Sequence, residues 1–523
     1  MARVSLPKDF SSEIARSYMF SLVDPQWPWT QNHRIFAKVG ADVFIACAPN
    51  GNVVYIADPT AVTSVLNRST EFLKPPGLAF LMDVYGKNIL SANGHDWRRY
   101  RKILAPQFSD ANNEIVWRET LHATAAMLGG VKSPDGSKIF PSLAPCLMHL
   151  SLRVISAAGF GVRLEASCSD QISGGEQLVS VIFSPEHKIG YLEALEGTLG
   201  GIYWIALLPT SALRWLPWQS IKFSLQCSKE WGRYMYECYI ATKNDLNGNV
   251  VGDGKRMDLM GSLARSEAVD GGLEPSEILG NAFVLLLAGH ESTANSLHLA
   301  LLYLSLYPDV QRQLQNELDV ILRDRPTEFW TFSQDLPDLA SGLCGAILHE
   351  VLRLQPPVLY LVKFTSALVE LETSLGRAMI PAKSRVILCT AASHRNPNSW
   401  LDTNTDEGLD DFRPERWLIG DSKHGGSFLP VRGSYYPFSQ GTRACLGRRF
   451  AQTEMLAGLA MIVKFYSIEL FEQRPGLEAA MQARLKMADV RQYVTAKMRD
   501  ERIAVKLTPR NVERRDKWVK NLV

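Results

Sequence analysis

The chain has 523 residues, and its 56 Lys and Arg against 54 Asp and Glu leave a formal charge of +2. That balance gives nucleic acid no electrostatic reason to bind, and 46% hydrophobic with 21% charged residues excludes a disordered polyelectrolyte in favour of a large buried core. The eight cysteines form no C-x-x-C pair, which excludes zinc ribbons and cysteine-ligated iron–sulfur clusters; Cys47, Cys146, Cys168, Cys227, Cys238, Cys344 and Cys389 read as packed thiols of a reducing compartment, with Cys445 apart.

The first 38 residues hold Arg3, Lys8, Asp9, Glu13, Arg16 and Asp24, so they contain neither a signal peptide nor the run of about 20 apolar residues that a membrane-spanning helix needs. Val43, Ile45 and Cys47 alternate with other residues before Pro49-Asn50-Gly51-Asn52, and Val53-Val54-Tyr55-Ile56 follows, a hairpin pattern with a two-residue turn. Asp58-Pro59 opens a helix as N-cap and first residue. The sequon Asn67-Arg68-Ser69 has no secretory route to serve it. Further on, Arg98, Arg99, Arg101 and Lys102 surround Trp97 and Tyr100, which taken alone is a solvated basic helix face. Leu199 to Trp218, the longest apolar stretch, is broken by Pro209, Arg214 and Pro217. It reads as a helix–loop–helix surface that touches a membrane or admits apolar molecules, with core packing as the competing reading. Asn244 to Gly254 reads as a surface loop.

Glu274 to Leu306 is an apolar helix of roughly 50 Å, with Pro275 in its first turn. At its middle stands Ala288-Gly289-His290-Glu291-Ser292-Thr293. Gly289 costs about 1 kcal/mol against alanine, and a hydroxyl bonded to the preceding turn loosens the helix, opening a groove for a diatomic molecule and water. Glu291 can exchange protons with solvent, and Ser292 or Thr293 can position one; His290 is a neighbour only. Helical periodicity continues to about residue 355 and includes Glu350 and Arg353, three apart on one face. His349-Glu350 and His290-Glu291 lack the second histidine of a zinc protease, since Arg353 and Ala294 stand in its place. No G-x-G-x-x-G follows a strand. Ser384 to Leu388 and Ile503 to Leu507 read as short strands.

Phe438-Ser439-Gln440-Gly441-Thr442-Arg443-Ala444-Cys445-Leu446-Gly447 leads into a helix whose buried stripe is Leu446, Phe450, Ala451, Met455, Leu459, Ile462 and Val463. A helix N-terminus favours a thiolate over a thiol, which makes Cys445 a candidate metal ligand, although a lone cysteine is more often simply buried. Gly441 suits a tight turn, Gly447 permits close approach of a flat ligand, Arg443 offers a cation and Phe438 an apolar cover for the sulfur.

Five segments occur in an order that resembles the cytochrome P-450 family of haem-thiolate monooxygenases, over roughly residues 39–510. They are the cysteine loop, Ala288 to Thr293, Glu350 to Arg353, Phe412-Arg413-Pro414-Glu415-Arg416-Trp417, and Trp97 to Arg101. The resemblance implies a mainly α fold with a small β region and a long central helix over haem. An extension at 1–38 and a basic tail at 511–523 would flank a domain of 39–510. The implied cofactor is haem b (iron protoporphyrin IX), with Cys445 as axial ligand and Trp97, Arg101, Lys363, Phe438, Gly441, Arg443 and Gly447 as binding residues. Lys363 stands where relatives carry arginine. Glu291 with Ser292 or Thr293 would deliver protons, and Glu350, Arg353 and Arg416 would form a structural network. Phe283, Leu286, Ala288, Val358, Leu359, Tyr360 and Leu361 would line the substrate cavity.

The implied reaction inserts one atom of O2 into a hydrophobic small molecule, terpenoid, polyketide or lipid-like, in the secondary metabolism of a eukaryotic, fungal-type relative. Electrons would come from NADPH through a separate flavoprotein, NADPH-cytochrome P-450 reductase, docked on Arg98, Arg99, Lys102, Arg448 and Arg449. The implied location is intracellular, in the cytoplasm or peripherally on the cytoplasmic face of the endoplasmic reticulum. Two other readings stand beside this one: a haem-thiolate isomerase or dehydratase acting on a peroxide without a reductase, and a non-catalytic haem carrier or sensor.

Overall fold

The computed structural model describes residues 27–510 apart from 49–50, 78–81, 131–134, 163, 166–176, 179–182, 185, 208–217, 248–258, 268–270, 401–407, 419–429, 472–475 and 493–494. These residues gather into two compact units, each assembled from separated stretches of chain.

The first unit draws on Met1–Leu73, Glu350–Ala444 and Val490–Arg499. Val43–Ala48 and Gly51–Ile56 pair antiparallel, Val43 opposite Ile56; the hairpin's Pro49 and Asn50 lie outside the described residues. Arg385–Leu388 runs parallel to Gly51–Ile56 and antiparallel to Leu361–Thr365, whose other edge takes Phe72–Leu73. Successive side chains of a strand point to opposite faces. Val54 and Ile56 therefore meet Val62, Val65 and Leu66 of the helix Pro59–Asn67 on one side. Val53 and Tyr55 meet Trp27, Ile35 and Phe36 on the other. Each such buried side chain stabilises by about 1.5–3 kcal/mol, so the strand Gly51–Ile56 is the hub of this core. Asp58 caps the following helix by accepting from the backbone N–H of Ala61 at 2.7 Å, with Pro59 as its first residue.

The second unit draws on Lys74–His349, Cys445–Asp489 and Asp500–Val523 and is mostly helical. Its axis is the helix Pro275–Leu306, packed against Ala144–Phe160 and Arg448–Phe465. Glu274 and Glu277 close its first turn as a reciprocal capping box. Glu277 also accepts from Tyr100 Oη at 2.6 Å and from Arg99 Nη2, which ties the long helix to Gly94–Leu104. A three-stranded sheet of Tyr466–Leu470, Val505–Pro509 and Lys138–Phe140 completes the unit.

Several expectations change. Asn244 to Asn247 still belong to the helix Gln219–Asn247, so the surface loop expected there starts later, and its remainder lies outside the described residues. Cys47 is exposed, and Cys146 is disulfide-bonded rather than a free thiol; Cys227, Cys238, Cys344 and Cys389 are buried thiols, and Cys168 lies outside the described residues. Of the apolar stretch 199–218, Ile202–Leu207 is helical and Tyr203, Trp204 and Trp218 are exposed, while 208–217 lie outside the described residues, as do 1–26 and 511–523. No helix among the described residues is long and apolar enough to cross a membrane.

Candidate active site

In the second unit, Cys445 stands just ahead of the helix Arg448–Phe465, with Gly447 as its N-cap. The Gly447 backbone N–H bonds to the Cys445 sulfur, and the charges of Arg101 and Arg448 lie close. Even so, dehydration by the surrounding chain outweighs these three influences and raises the thiol above its ordinary value. The helix N-terminus thus does not by itself lower the Cys445 thiol, contrary to the expectation from the sequence. The residue is nevertheless exposed, so open surface and a dehydrated thiol coincide at this position. Trp97 and Arg101 lie one turn apart on Gly94–Leu104, the Arg101 guanidinium 5.7 Å from the indole centroid.

These residues fit a planar, anionic, metal-carrying group: an exposed cysteine, cations beside it and an indole. Gly447 agrees with that fit. Its φ of −82° suits any residue, and a Cβ there would meet only Phe108 Cε1, at 3.6 Å. The polypeptide's own packing therefore does not require glycine, and the open space at this position would suit a flat ligand over the sulfur.

On the long helix, the accessible positions between Gly280 and Leu302 are Leu285, Ala288, Gly289, Glu291 and Ser292. Four of them, Leu285, Ala288, Gly289 and Ser292, follow the three-and-four spacing of one helix face. Between Gly280 and Leu302 the helix thus opens along one stripe, with Glu291 beside it and the other positions buried. Ser292 Oγ donates to the Ala288 carbonyl at 2.8 Å, and Thr293 Oγ1 to the Gly289 carbonyl at 3.0 Å, yet the helix is unbroken. The expected loosening is absent. Gly289 has a different reason: a Cβ there would stand 3.0 Å from Ile155 Cδ1, so the missing side chain lets Ala144–Phe160 pack closely. Thr293 and His290 are buried away from the stripe. Phe283 and Leu286 have no accessible surface, and Phe283 lies edge-on to Tyr85, so both are core here rather than cavity lining.

In the first unit, the Glu350 carboxylate is fully buried and accepts from Arg353 Nε and Nη2, each at 2.8 Å, from Arg416 Nε at 3.0 Å, from Trp417 Nε1 at 2.9 Å and from the Arg413 backbone N–H at 3.0 Å. Burial alone would raise this carboxyl, but the charges and hydrogen bonds of Arg353 and Arg416 prevail and hold it below the ordinary carboxylate range. Trp417 and the Arg413 amide were not assigned from sequence, although Trp417 directly follows Arg416. Arg353 also donates to the carbonyl of Leu409 at 2.7 Å and to that of His394 at 3.3 Å.

Gly441 takes φ +72°, and a Cβ there would come within 2.5 Å of the Leu66 carbonyl oxygen, so turn and contact both demand glycine. Phe438 and Arg443 are half-buried. Lys363 is buried in the strand Leu361–Thr365 opposite Val386. Val358, Tyr360 and Leu361 are half-buried, and Leu361 packs on the sheet core. Leu359 is buried, its backbone N–H donating to Gln492 Oε1 at 2.8 Å.

The basic face is smaller than the sequence implied. Arg99 turns inward to Glu277 and to the Gly272 carbonyl at 2.8 Å, and Arg449 pairs with Asp110 at 2.6 Å. Arg98, Lys102 and Arg448 remain exposed.

The profile described as Cytochrome P-450 matches residues 30–487. Cytochrome P-450 monooxygenase 124 of Postia placenta is 29% identical over 456 residues, 85% of this chain and 81% of the relative. The phomenoic acid biosynthesis cluster cytochrome P-450 monooxygenase of Leptosphaeria maculans is 26% identical over 471 residues, 82% of this chain and 77% of the relative. The crystal structure of the cytochrome P-450DA heme domain shares the fold, with a TM-score of 0.70 at 19% identity over 95% of this chain and 96% of that one. A cysteine between arginines at a helix mouth, an apolar helix opened along one stripe and a profile match over most of the sequence lead to one conclusion: the chain belongs to the cytochrome P-450 family of haem-dependent monooxygenases.

Proposed function

We propose that the chain holds haem b through Cys445 as axial ligand and inserts one atom of O2 into a hydrophobic small molecule of secondary metabolism. Haem, when bound, supplies the oxidising chemistry, and an anionic sulfur donor favours cleavage of the O–O bond. The observation that carries the reading is the exposed Cys445, its sulfur beside the Gly447 N–H, Arg101 and Arg448.

The remaining work falls to side chains. Trp97 and Arg101 bind one carboxylate of the cofactor, with Lys363 and Arg443 as further cations, while Phe438 and Gly441 shape the loop before the sulfur. Ser292 holds a proton at Oγ on the accessible stripe, and Glu291, part exposed beside it, replenishes that proton from solvent. Thr293 is buried, so the delivering hydroxyl is assigned to Ser292. Ala288, Val358 and Tyr360 contact substrate, their small or apolar surfaces suiting a greasy molecule. Electrons come from NADPH through a separate flavoprotein reductase that docks on Arg98, Lys102 and Arg448. Exposed Tyr203, Trp204, Trp218 and Phe223 support peripheral contact with the cytoplasmic face of the endoplasmic reticulum. The relative from the phomenoic acid biosynthesis cluster supports a role in secondary metabolism.

The test is the absorption of the purified, reduced protein under carbon monoxide. The red-shifted band of an anionic sulfur donor is expected, and Cys445→Ser should abolish it; a band untouched by that substitution refutes the assignment. Substrate oxidation that requires both O2 and NADPH with reductase separates a monooxygenase from an isomerase, which needs neither, and from a carrier, which forms no product.

A further inference from the structure

His394 is fully buried in the first unit. Its Nε2 accepts the backbone N–H of Tyr436 at 2.9 Å, and its Nδ1 faces the carbonyl of Arg353 at 3.3 Å. One nitrogen must accept and the other donate, so both neighbours dictate a single neutral tautomer with the proton on Nδ1. Arg353 is the same residue that clamps Glu350, and its Nη1 returns to the His394 carbonyl at 3.3 Å. Tyr436 is held a second time by its hydroxyl, 3.1 Å from Ser393 Oγ. Two residues later the cysteine loop begins at Phe438. Tyr436 is the last buried residue before the loop, whose residues from Phe438 to Ala444 are half-buried or exposed.

We infer that His394 is a positioning residue for the haem ligand: its Nε2 lone pair fixes the backbone of Tyr436 and so sets the path of the chain that delivers Cys445. The inference rests on Cys445 being that ligand. Burial pushes the imidazole down to about 3, against the raising influence of the Arg353 carbonyl. The lone pair is therefore kept for the Tyr436 amide throughout the working pH range.

The two nitrogens can be replaced separately. Glutamine reaches the Nε2 position with an oxygen that accepts from Tyr436 but brings nothing to Nδ1. Asparagine supplies a donor at Nδ1 but stops short of Tyr436. His394→Gln and His394→Asn are prepared as the full chain loaded with haem, and two signals are read: thermal midpoint and the position of the reduced carbon monoxide band. A structural role alone lowers both midpoints and treats the two bands alike. The inference expects His394→Gln to keep the red-shifted band and His394→Asn to lose it towards shorter wavelength. Equal behaviour of the two variants, folded or not, or the reverse order, overturns it. The unsubstituted protein and Cys445→Ser run alongside. If these two do not differ, the ligand assignment has failed; if they differ while both His394 variants keep the band, only the positioning role has failed.

Discussion

Both carboxylate oxygens of Glu454 are fully buried in the helix Arg448–Phe465, without a hydrogen-bond partner among the described residues. The Ser151 hydroxyl comes near enough to favour the charge but does not complete a hydrogen bond, and burial pushes the carboxyl up to about 8. The folded protein therefore keeps a proton that the unfolded chain, titrating near 4.5, has already released. Stability is full below the unfolded value, falls as pH rises and levels off above about 8, by at most about 1.4 kcal/mol per pH unit. Glu454→Gln should flatten that decline, which melting curves between about pH 5 and pH 9 will read; a variant that tracks the parent across the range would contradict the burial argument. Ser292 and Thr293 offer a second contrast. Ser292→Ala, on the accessible stripe, should divert electrons to hydrogen peroxide, raising peroxide per NADPH and slowing product formation about a hundredfold, the low end of what a positioned proton donor contributes. Thr293→Ala should leave that ratio alone. Equal ratios in the two variants would remove the assignment of the hydroxyl.

Between elements, Glu277 does most to join the long helix to Gly94–Leu104. It caps its own helix and receives Tyr100 and Arg99. Removing a hydrogen-bonded carboxylate of this kind costs roughly 2–3 kcal/mol. Glu277→Ala should show that loss in urea unfolding, together with weaker haem retention, since Trp97 and Arg101 lie on the tethered helix; unchanged stability would mean that the cluster is ornamental. The contrast between elements also explains what could be read from the chain. Asp58-Pro59, the strands around Gly51 and the boundaries of Pro275–Leu306 depend on neighbours in sequence, and local chemistry revealed them. The parallel seat of Arg385–Leu388, the Ile155 contact behind Gly289 and the inward turn of Arg99 depend on residues far away in sequence. Periodicity carries no trace of such partners. In the site, Cys445 and the Glu350–Arg353 spacing were legible because each motif is short. His394 and the Trp417 indole bond were not, because their partners lie tens of residues off.

For the molecule as a whole, a formal charge of +2 conceals a local concentration at Arg98, Lys102 and Arg448. A flavoprotein with an acidic docking face would be steered there, and steering of this kind changes association about tenfold or more and fades with salt. Replacing Arg98 and Lys102 by glutamate should lower reductase-driven turnover about tenfold at low ionic strength and flatten its salt dependence, with the carbon monoxide spectrum intact. Turnover that keeps its original salt dependence would dismiss this face as the docking site. A different consequence follows from the sheet of the first unit. Val53 finds its parallel partner Arg385 about 330 positions later, which at roughly 5–20 residues per second is a wait of about 15–65 s on the ribosome. Until then the hairpin Val43–Ile56 has an open edge, and two strands alone are marginal in water. Rapid overproduction thus sets edge-to-edge association of nascent chains against completion of the sheet, and a holding chaperone or slower translation should improve the yield of soluble protein more than any surface substitution.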